Sequence, residues 1–302
     1  MLTLRNPAHR RGLKAGGGKL AAIVLAFGLA ACFKGVTSQA SAATAPLARS
    51  PDGRPLVMTF SDDFDTFRPW RDGRGVWRTT FRDGAHGDDD PDGVEIRTLK
   101  NNKEAQLYVD PAFGHLGLNP FHVHDGLLDI RAEPAPPAAS QALRGYRYVS
   151  GLISTQPSFS QTYGYFEMRA RLPAGKGLWP AFWLLPRDLS WPPEIDIMES
   201  VGDPSKYYVT LHSKPETDSG TEIPLSPDAF HTFAVSWDPQ SVVWYLDGRE
   251  VKRRPTPPDM HKPMYLLANL ALGGGWAGDP DATTPFPASF SIDYIRAYRF
   301  AQ

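Results

Sequence analysis

The feature that most constrains this chain is an alternation of apolar and polar residues in short segments, cut apart by Gly, Pro, Asp and Asn. In Tyr165-Phe-Glu-Met-Arg-Ala-Arg-Leu172 the even positions Phe166, Met168, Ala170 and Leu172 are apolar, and Glu167, Arg169 and Arg171 between them are charged. That is the period of a strand buried on one face. Comparable runs lie at 105–109, 127–132, 148–155, 179–185, 194–199, 207–212, 230–237, 241–247, 264–272 and 289–300. Asp247-Gly248 marks a hairpin turn between Val242–Leu246 and Arg249–Lys252. Beyond residue 31 no helical period is sustained, and 29 prolines and 27 glycines favour turns over helices. The pattern predicts an all-β sandwich or barrel, and residues 55–302 read as one domain because no repeat or Ser/Gly-rich linker divides them.

The amino-terminal segment follows another rule. Arg5, Arg10, Arg11, Lys14 and Lys19, with no acid among them, precede the apolar run Leu20–Ala31. A basic stretch followed by an apolar one too short to span a bilayer reads as an export signal over residues 1–31. Leu29-Ala30-Ala31-Cys32 resembles the lipobox of bacterial lipoproteins, which makes the chain's single cysteine, Cys32, the expected lipid attachment site. Ala40-Ser41-Ala42 offers an alternative small-residue cleavage site for a freely secreted product. Residues 32–54 read as a disordered leader. The expected location is therefore the outer membrane as a lipoprotein, or the periplasm or exterior, with any membrane contact made through the lipid alone.

The most informative run is Trp191-Pro-Pro-Glu194-Ile-Asp196-Ile-Met-Glu199, three carboxylates in a segment otherwise built from Ile and Met. On a regular strand Glu194 and Asp196 share a face and Glu199 points to the other. One extra residue in a β-bulge at Ile197-Met198 brings all three to one face. The two glutamate backbones then stand roughly 13 Å apart. Side chains leaning inward bring the carboxyls to about 5–6 Å, nearer the spacing of a retaining glycosidase than the about 6.5–9.5 Å of an inverting one. Carboxylates this close cannot all ionise freely, so at least one holds a proton at neutral pH, as a general acid requires. Trp179, Trp183, Trp191, Trp237, Trp244 and Trp276 add flat indole surface suited to stacking on sugar rings.

Glu-Ile-Asp-Ile-Met-Glu at 194–199 resembles the catalytic signature of glycoside hydrolase family 16 in its bulged form. Gly177–Pro186, Tyr148–Thr155, Val235–Asp238, Trp244–Gly248, Asn269–Trp276 and Asp293–Tyr298 follow in the family's order, and the likeness covers about residues 57–299. The resemblance implies a jelly-roll of two curved antiparallel sheets with a concave cleft for the middle of a β-glycan. It implies Glu194 as nucleophile, Glu199 as acid/base and Asp196 as the group that tunes the nucleophile; the residues alone leave the two glutamates interchangeable. By the same resemblance Trp179, Trp183, Trp191 and Trp276 line sugar subsites. His212 and Asn269 meet the acids or sugar hydroxyls, and Asn102 lies in a stretch, Asn101–Tyr108, like the one laminarinase-type members place beside the cleft. The extra Lys103 in that stretch is closer to bacterial endo-glycanases that trim exopolysaccharides such as succinoglycan. Family members often hold a structural calcium with an Asp of the last strand, here Asp293.

The expectation is an endo-acting retaining β-glycanase cutting β-1,3 or β-1,4 bonds. A transglycosylase of the same family and a non-catalytic β-glycan lectin are the alternatives. Lys plus Arg number 32 against 33 Asp plus Glu, and without residues 1–31 the chain is net −6, which excludes the basic footprint of a nucleic-acid binder. The polysaccharide substrate is the expected partner of a monomer. A single cysteine rules out an intramolecular disulfide and a zinc–thiolate cluster, and the chemistry needs no cofactor. Asp88-Asp-Asp90-Pro-Asp92-Gly93 matches half of a calcium loop, but its twelfth position is Leu99 and it reads as a solvated turn.

Overall fold

The computed structural model describes residues 45–81, 93–216, 218 and 220–301. The export segment 1–31, Cys32, the site at 40–42 and the acidic turn at 88–92 lie outside the described residues.

The described chain is almost entirely β. Its strands are β1 (Leu56–Asp62), β2 (Gln106–Tyr108), β3 (Phe121–His124), β4 (Leu127–Pro134), β5 (Tyr148–Ser150), β6 (Leu152–Ser154), β7 (Gly164–Arg171) and β8 (Leu178–Pro186). They continue as β9 (Glu194–Glu199), β10 (Lys206–His212), β11 (Thr221–Pro224), β12 (His231–Trp237), β13 (Ser241–Leu246), β14 (Arg249–Pro255), β15 (Met264–Leu272) and β16 (Ala288–Phe300). Six form one sheet in the order β11-β10-β9-β8-β15-β6. The other ten form β14-β13-β12-β7-β16-β4-β5-β2, with β1 paired to β16 and β3 to β4. Neighbours are antiparallel except β2 and β5. This is the two-sheet jelly-roll that the resemblance implied.

Period two decides which side chains fill the space between the sheets. From the six-stranded sheet Phe182 and Leu184, Ile195, Val209 and Leu211, and Leu266, Ala268 and Leu270 point into the core. Phe166 and Met168, Phe233 and Val235, Val242 and Trp244, and Phe290 and Ile292 meet them from the ten-stranded sheet. Every second residue of β8, β10 and β15 therefore faces away from the core, and the cleft is built from that outer face.

Two sequence expectations are corrected. Trp237 and Trp244 are fully buried between the sheets, so they offer no surface to a ligand. The leader is not disordered as far as residue 54. Residues 47–54 fold as a strap on the outer face of the ten-stranded sheet, where the Leu56 amide donates to Ala48 O and the Leu47 amide to the Tyr298 hydroxyl. Arg54 pairs with Asp238 at 2.7 Å and lies 3.8 Å over the Phe300 ring. The strap is held by pairing and cation–π contact, neither of which leaves a periodic mark in the sequence. Asp293 sits at a register shift of β16 in an ion pair with Arg169.

Replacing Arg54 with Ala removes the ion pair and the cation–π contact, and is expected to cost roughly 1–2 kcal/mol. For a domain of this size that lowers Tm by about 3–6 °C. An unchanged melting curve would show that the strap is not part of the folded domain.

Candidate active site

The bulge in β9 organises the site. On one side Ala181 pairs with Glu199 and Phe182 with Met198, but Trp183 pairs with Asp196, so Ile197 is passed over. On the other, Tyr208 pairs with Glu199 and Thr210 with Asp196, leaving Val209 opposite both Ile197 and Met198. Ile195, Ile197 and Met198 all enter the core, so the three polar side chains are left together on the outer face. The Trp244 indole N–H reaches across from β13 and donates to the Asp196 carbonyl at 2.8 Å. A donor from the opposite sheet thus satisfies a buried backbone acceptor beside the irregularity.

Each glutamate receives an indole N–H. Trp191 Nε1 donates to Glu194 Oε2 at 2.7 Å, and Trp179 Nε1 donates to Glu199 Oε1 at 3.0 Å. Asp196 lies between them with a buried side chain, and its Oδ2 accepts no hydrogen bond. His212 faces Glu194 across the β9–β10 pair, and its Nε2 is 3.1 Å from Asp196 Oδ2 and 3.9 Å from Glu194 Oε1. The first contact has ion-pair length but lacks hydrogen-bond alignment. Burial and then the charge of Glu199 hold the Asp196 carboxyl well above the usual range. Burial and the Asp196 charge do the same to Glu194, with His212 and the Trp191 N–H opposing. Burial and the Glu194 charge push Glu199 up to about 7, against the Trp179 hydrogen bond. A carboxyl poised there can give and take a proton at neutral pH.

These groups line a cavity of about 750 Å³ that also contains Trp183, Trp276, Asn102 and Asn269. The three acids and the seven residues that the resemblance placed at the sugar subsites, though not Trp237 or Trp244, are therefore brought to one place. Trp191 and Trp276 are 64% and 45% exposed, an unusual placement for large apolar side chains outside a ligand surface. Trp276 meets Trp179 edge-to-face at 5.4 Å and Tyr208 at 4.9 Å, which forms an aromatic wall on the Glu199 side. Trp183 donates to Asn269 Oδ1 at 2.8 Å, and Asn269 donates on to the Tyr108 hydroxyl at 3.0 Å. In the Asn101–Tyr108 stretch Lys103 takes a left-handed turn, φ 58°. Glu104 is buried under Asn102 and Gln106 amide donors, and burial raises its pKa. Lys103 ends the short 3-10 turn Lys100–Asn102 and does not line the cavity.

The sequence did not mark Thr210, Tyr208 or Asp218, which also line the cavity. The first two were recoverable, since they alternate with core-facing Val209 and Leu211 on the strand that carries His212. Asp218 lies in the β10–β11 connection and is paired with Lys252 of β14 at 2.6 Å, a contact between sheets that no local pattern reveals.

The raised acids tie stability to pH. Glu199 binds its proton more tightly folded than unfolded, so its contribution is complete at low pH and is lost as pH rises from its ordinary 4.5 to about 7. Glu199→Gln is expected to raise Tm at pH 8 and change it little at pH 4; equal effects at both pH values would contradict the perturbed acid.

The arrangement places a carboxyl able to give and take a proton, Glu199, on the same strand as two further acids, in a cleft walled by indoles. The sequence profile of glycosyl hydrolases family 16 matches residues 121–296. Two relatives from Rhizobium meliloti, the endo-1,3-1,4-beta-glycanases ExsH and EglC, are each 44% identical over 82% and 80% of this chain and 53% and 52% of theirs. The chain thus spans about half the length of these relatives. The endo-beta-1,3-glucanase of Pyrococcus furiosus, a solved structure, is 28% identical with a TM-score of 0.68, covering 85% of this chain and 100% of that one.

Proposed function

This chain belongs to glycosyl hydrolase family 16, and from that premise we propose that it is an endo-acting retaining β-glycanase of β-1,3 and/or β-1,4 glucosidic bonds. The observation that carries the reading is the pair of Trp-bonded glutamates at the two ends of one bulged strand. Both sit in the same cavity, and one has its pKa near 7.

In the first step Glu194 attacks the anomeric carbon while Glu199 gives its proton to the departing glycosidic oxygen, and a glycosyl ester forms on Glu194. In the second, Glu199 takes a proton from water, the oxygen attacks the same carbon, and Glu194 leaves as carboxylate. Glu194 must be ionised at the start. The Trp191 N–H and His212 both favour its charge, whereas Asp196 Oδ2 has no donor. The mechanism therefore requires any proton held between the two acids to sit on Asp196, which can then hydrogen-bond the nucleophile and release it as the ester forms.

The cavity lining bears on the substrate. It contains Glu95, Glu104 and Asp218 besides the three central acids, while its one lysine, Lys100, is paired with Glu95. Such a surface suits a neutral glucan or the neutral backbone of a bacterial exopolysaccharide and repels sulfated or uronic acid residues. The names of the Rhizobium relatives favour mixed β-1,3 and β-1,4 linkages. A glycan lectin needs the indole wall but has no use for a glutamate tuned to about 7 beside a nucleophile. Export through residues 1–31, lipid attachment at Cys32 and action as a monomer on an external polysaccharide complete the reading.

Reducing-end release from lichenan, laminarin, succinoglycan and a sulfated galactan tests it. Release is expected from at least one neutral polymer and not from the sulfated one. It should fall by at least about 10³-fold in Glu194→Ala and Glu199→Ala. The rate should also fall as pH rises above about 7, where Glu199 loses its proton. Loss of the Trp179 hydrogen bond in Trp179→Phe should move that limb to higher pH. Full activity in either glutamate variant would overturn the assignment.

A further inference from the structure

We propose that Glu194, Asp196 and His212 form a binding site for a borderline divalent cation, Zn2+ or Cu2+, whose occupancy closes the cleft to substrate. The inhibitory consequence rests on the catalytic reading above; the binding itself does not.

One ligand atom from each of the three residues lies within 4.8 Å of the others. Tetrahedral zinc with bonds of about 2.0–2.2 Å to nitrogen and oxygen spaces its ligands about 3.4 Å apart. The His212 Nε2 distances of 3.1 Å to Asp196 Oδ2 and 3.9 Å to Glu194 Oε1 bracket that value. Small side-chain rotations suffice to equalise them. The hydrogen bonding leaves the right atoms free. Trp191 occupies Oε2 of Glu194, so Oε1 faces His212. Asp196 Oδ2 is buried, aimed at the imidazole and without any hydrogen-bond donor. An acceptor left in that condition is costly, and a cation relieves it. The strands fix the geometry, because Glu194 and Asp196 share a face of β9 and His212 is the register partner of Glu194 on β10.

The donor set selects the metal. One imidazole with two carboxylates suits zinc or copper. Calcium prefers six or more oxygens, and magnesium requires octahedral geometry with several waters. A cation held here ties up the Glu194 oxygen that must attack the sugar, and it occupies the cavity lined by Trp191 and the aromatic wall. Metal and oligosaccharide are therefore mutually exclusive.

Calorimetric titration of the folded chain with ZnCl2, with no glycan present, tests the site directly, with the isosteric variants His212→Gln and Glu194→Gln alongside. One Zn2+ per chain is expected in the wild type, with affinity at least about tenfold lower in each variant. Laminarin oligosaccharide, added beforehand, should weaken Zn2+ binding. Unchanged binding in either variant, or no binding by the wild type at millimolar Zn2+, overturns the proposal. The two readings fail separately. Variant-sensitive Zn2+ binding in a chain that releases sugar from no polymer removes the hydrolase and leaves the site. Glycan release with no Zn2+ binding removes the site alone.

Discussion

The structure depends on a single extra residue. Val209 of β10 lies opposite both Ile197 and Met198, and this two-against-one pairing turns Glu199 to the face already occupied by Glu194 and Asp196. Without it the same six residues would place one glutamate in the core, where an unpaired charge is prohibitive. With it Ile197 and Met198 are both absorbed into the core, and the three acids are left to one another. The bulge thus links packing to chemistry, because the residues that satisfy the core are the ones that force the carboxylates together.

Gathering acids in this way works against stability, and the surroundings show how the cost is contained. The two glutamates receive indole N–H groups from Trp191 and Trp179. The strand is held from behind by Trp244, whose N–H crosses the interlayer space to the Asp196 carbonyl. Lys252 lies under the same region, paired with Asp218 and 5.2 Å from the Trp244 ring. Its positive charge is among the groups that lower the Asp196 pKa. Repulsion among the acids remains only partly compensated, and burial together with that remaining repulsion keeps Glu199 able to exchange a proton near neutrality. The strain of the site and its capacity for acid–base work have one origin.

Much of the fold was legible in the sequence because period two is a direct image of a two-layer sandwich. The strands read from it, β7, β8, β9, β10, β12, β13 and β15 among them, lie centrally and carry the core. What escaped was at the margins. In β1 both Val57 and Met58 are exposed, β3 is four residues with two histidines, and β11 ends in proline. The hairpin at Asp247-Gly248 pointed to the start of β14, but its charged run continues the strand to Pro255. Edge strands gain their place through pairing and not burial, so hydrophobic alternation does not mark them. At the site, spacing alone gave the three acids and the bulge. It could not assign roles to the two glutamates, and it could not tell the four tryptophans of the cavity from Trp237 and Trp244, since burial depends on which sheet face each strand position meets.

The central claim is that the bulged strand presents Glu194 as a nucleophile and Glu199 as its proton-transfer partner. An activated 2-deoxy-2-fluoro laminaribioside, which slows breakdown of a glycosyl-enzyme, followed by peptide mass mapping, tests it most directly. The account predicts one covalent glycosyl adduct, on Glu194, that disappears when an acceptor sugar is added. An adduct on Glu199, or hydrolysis of the natural polymer with inversion and no adduct at all, would contradict it.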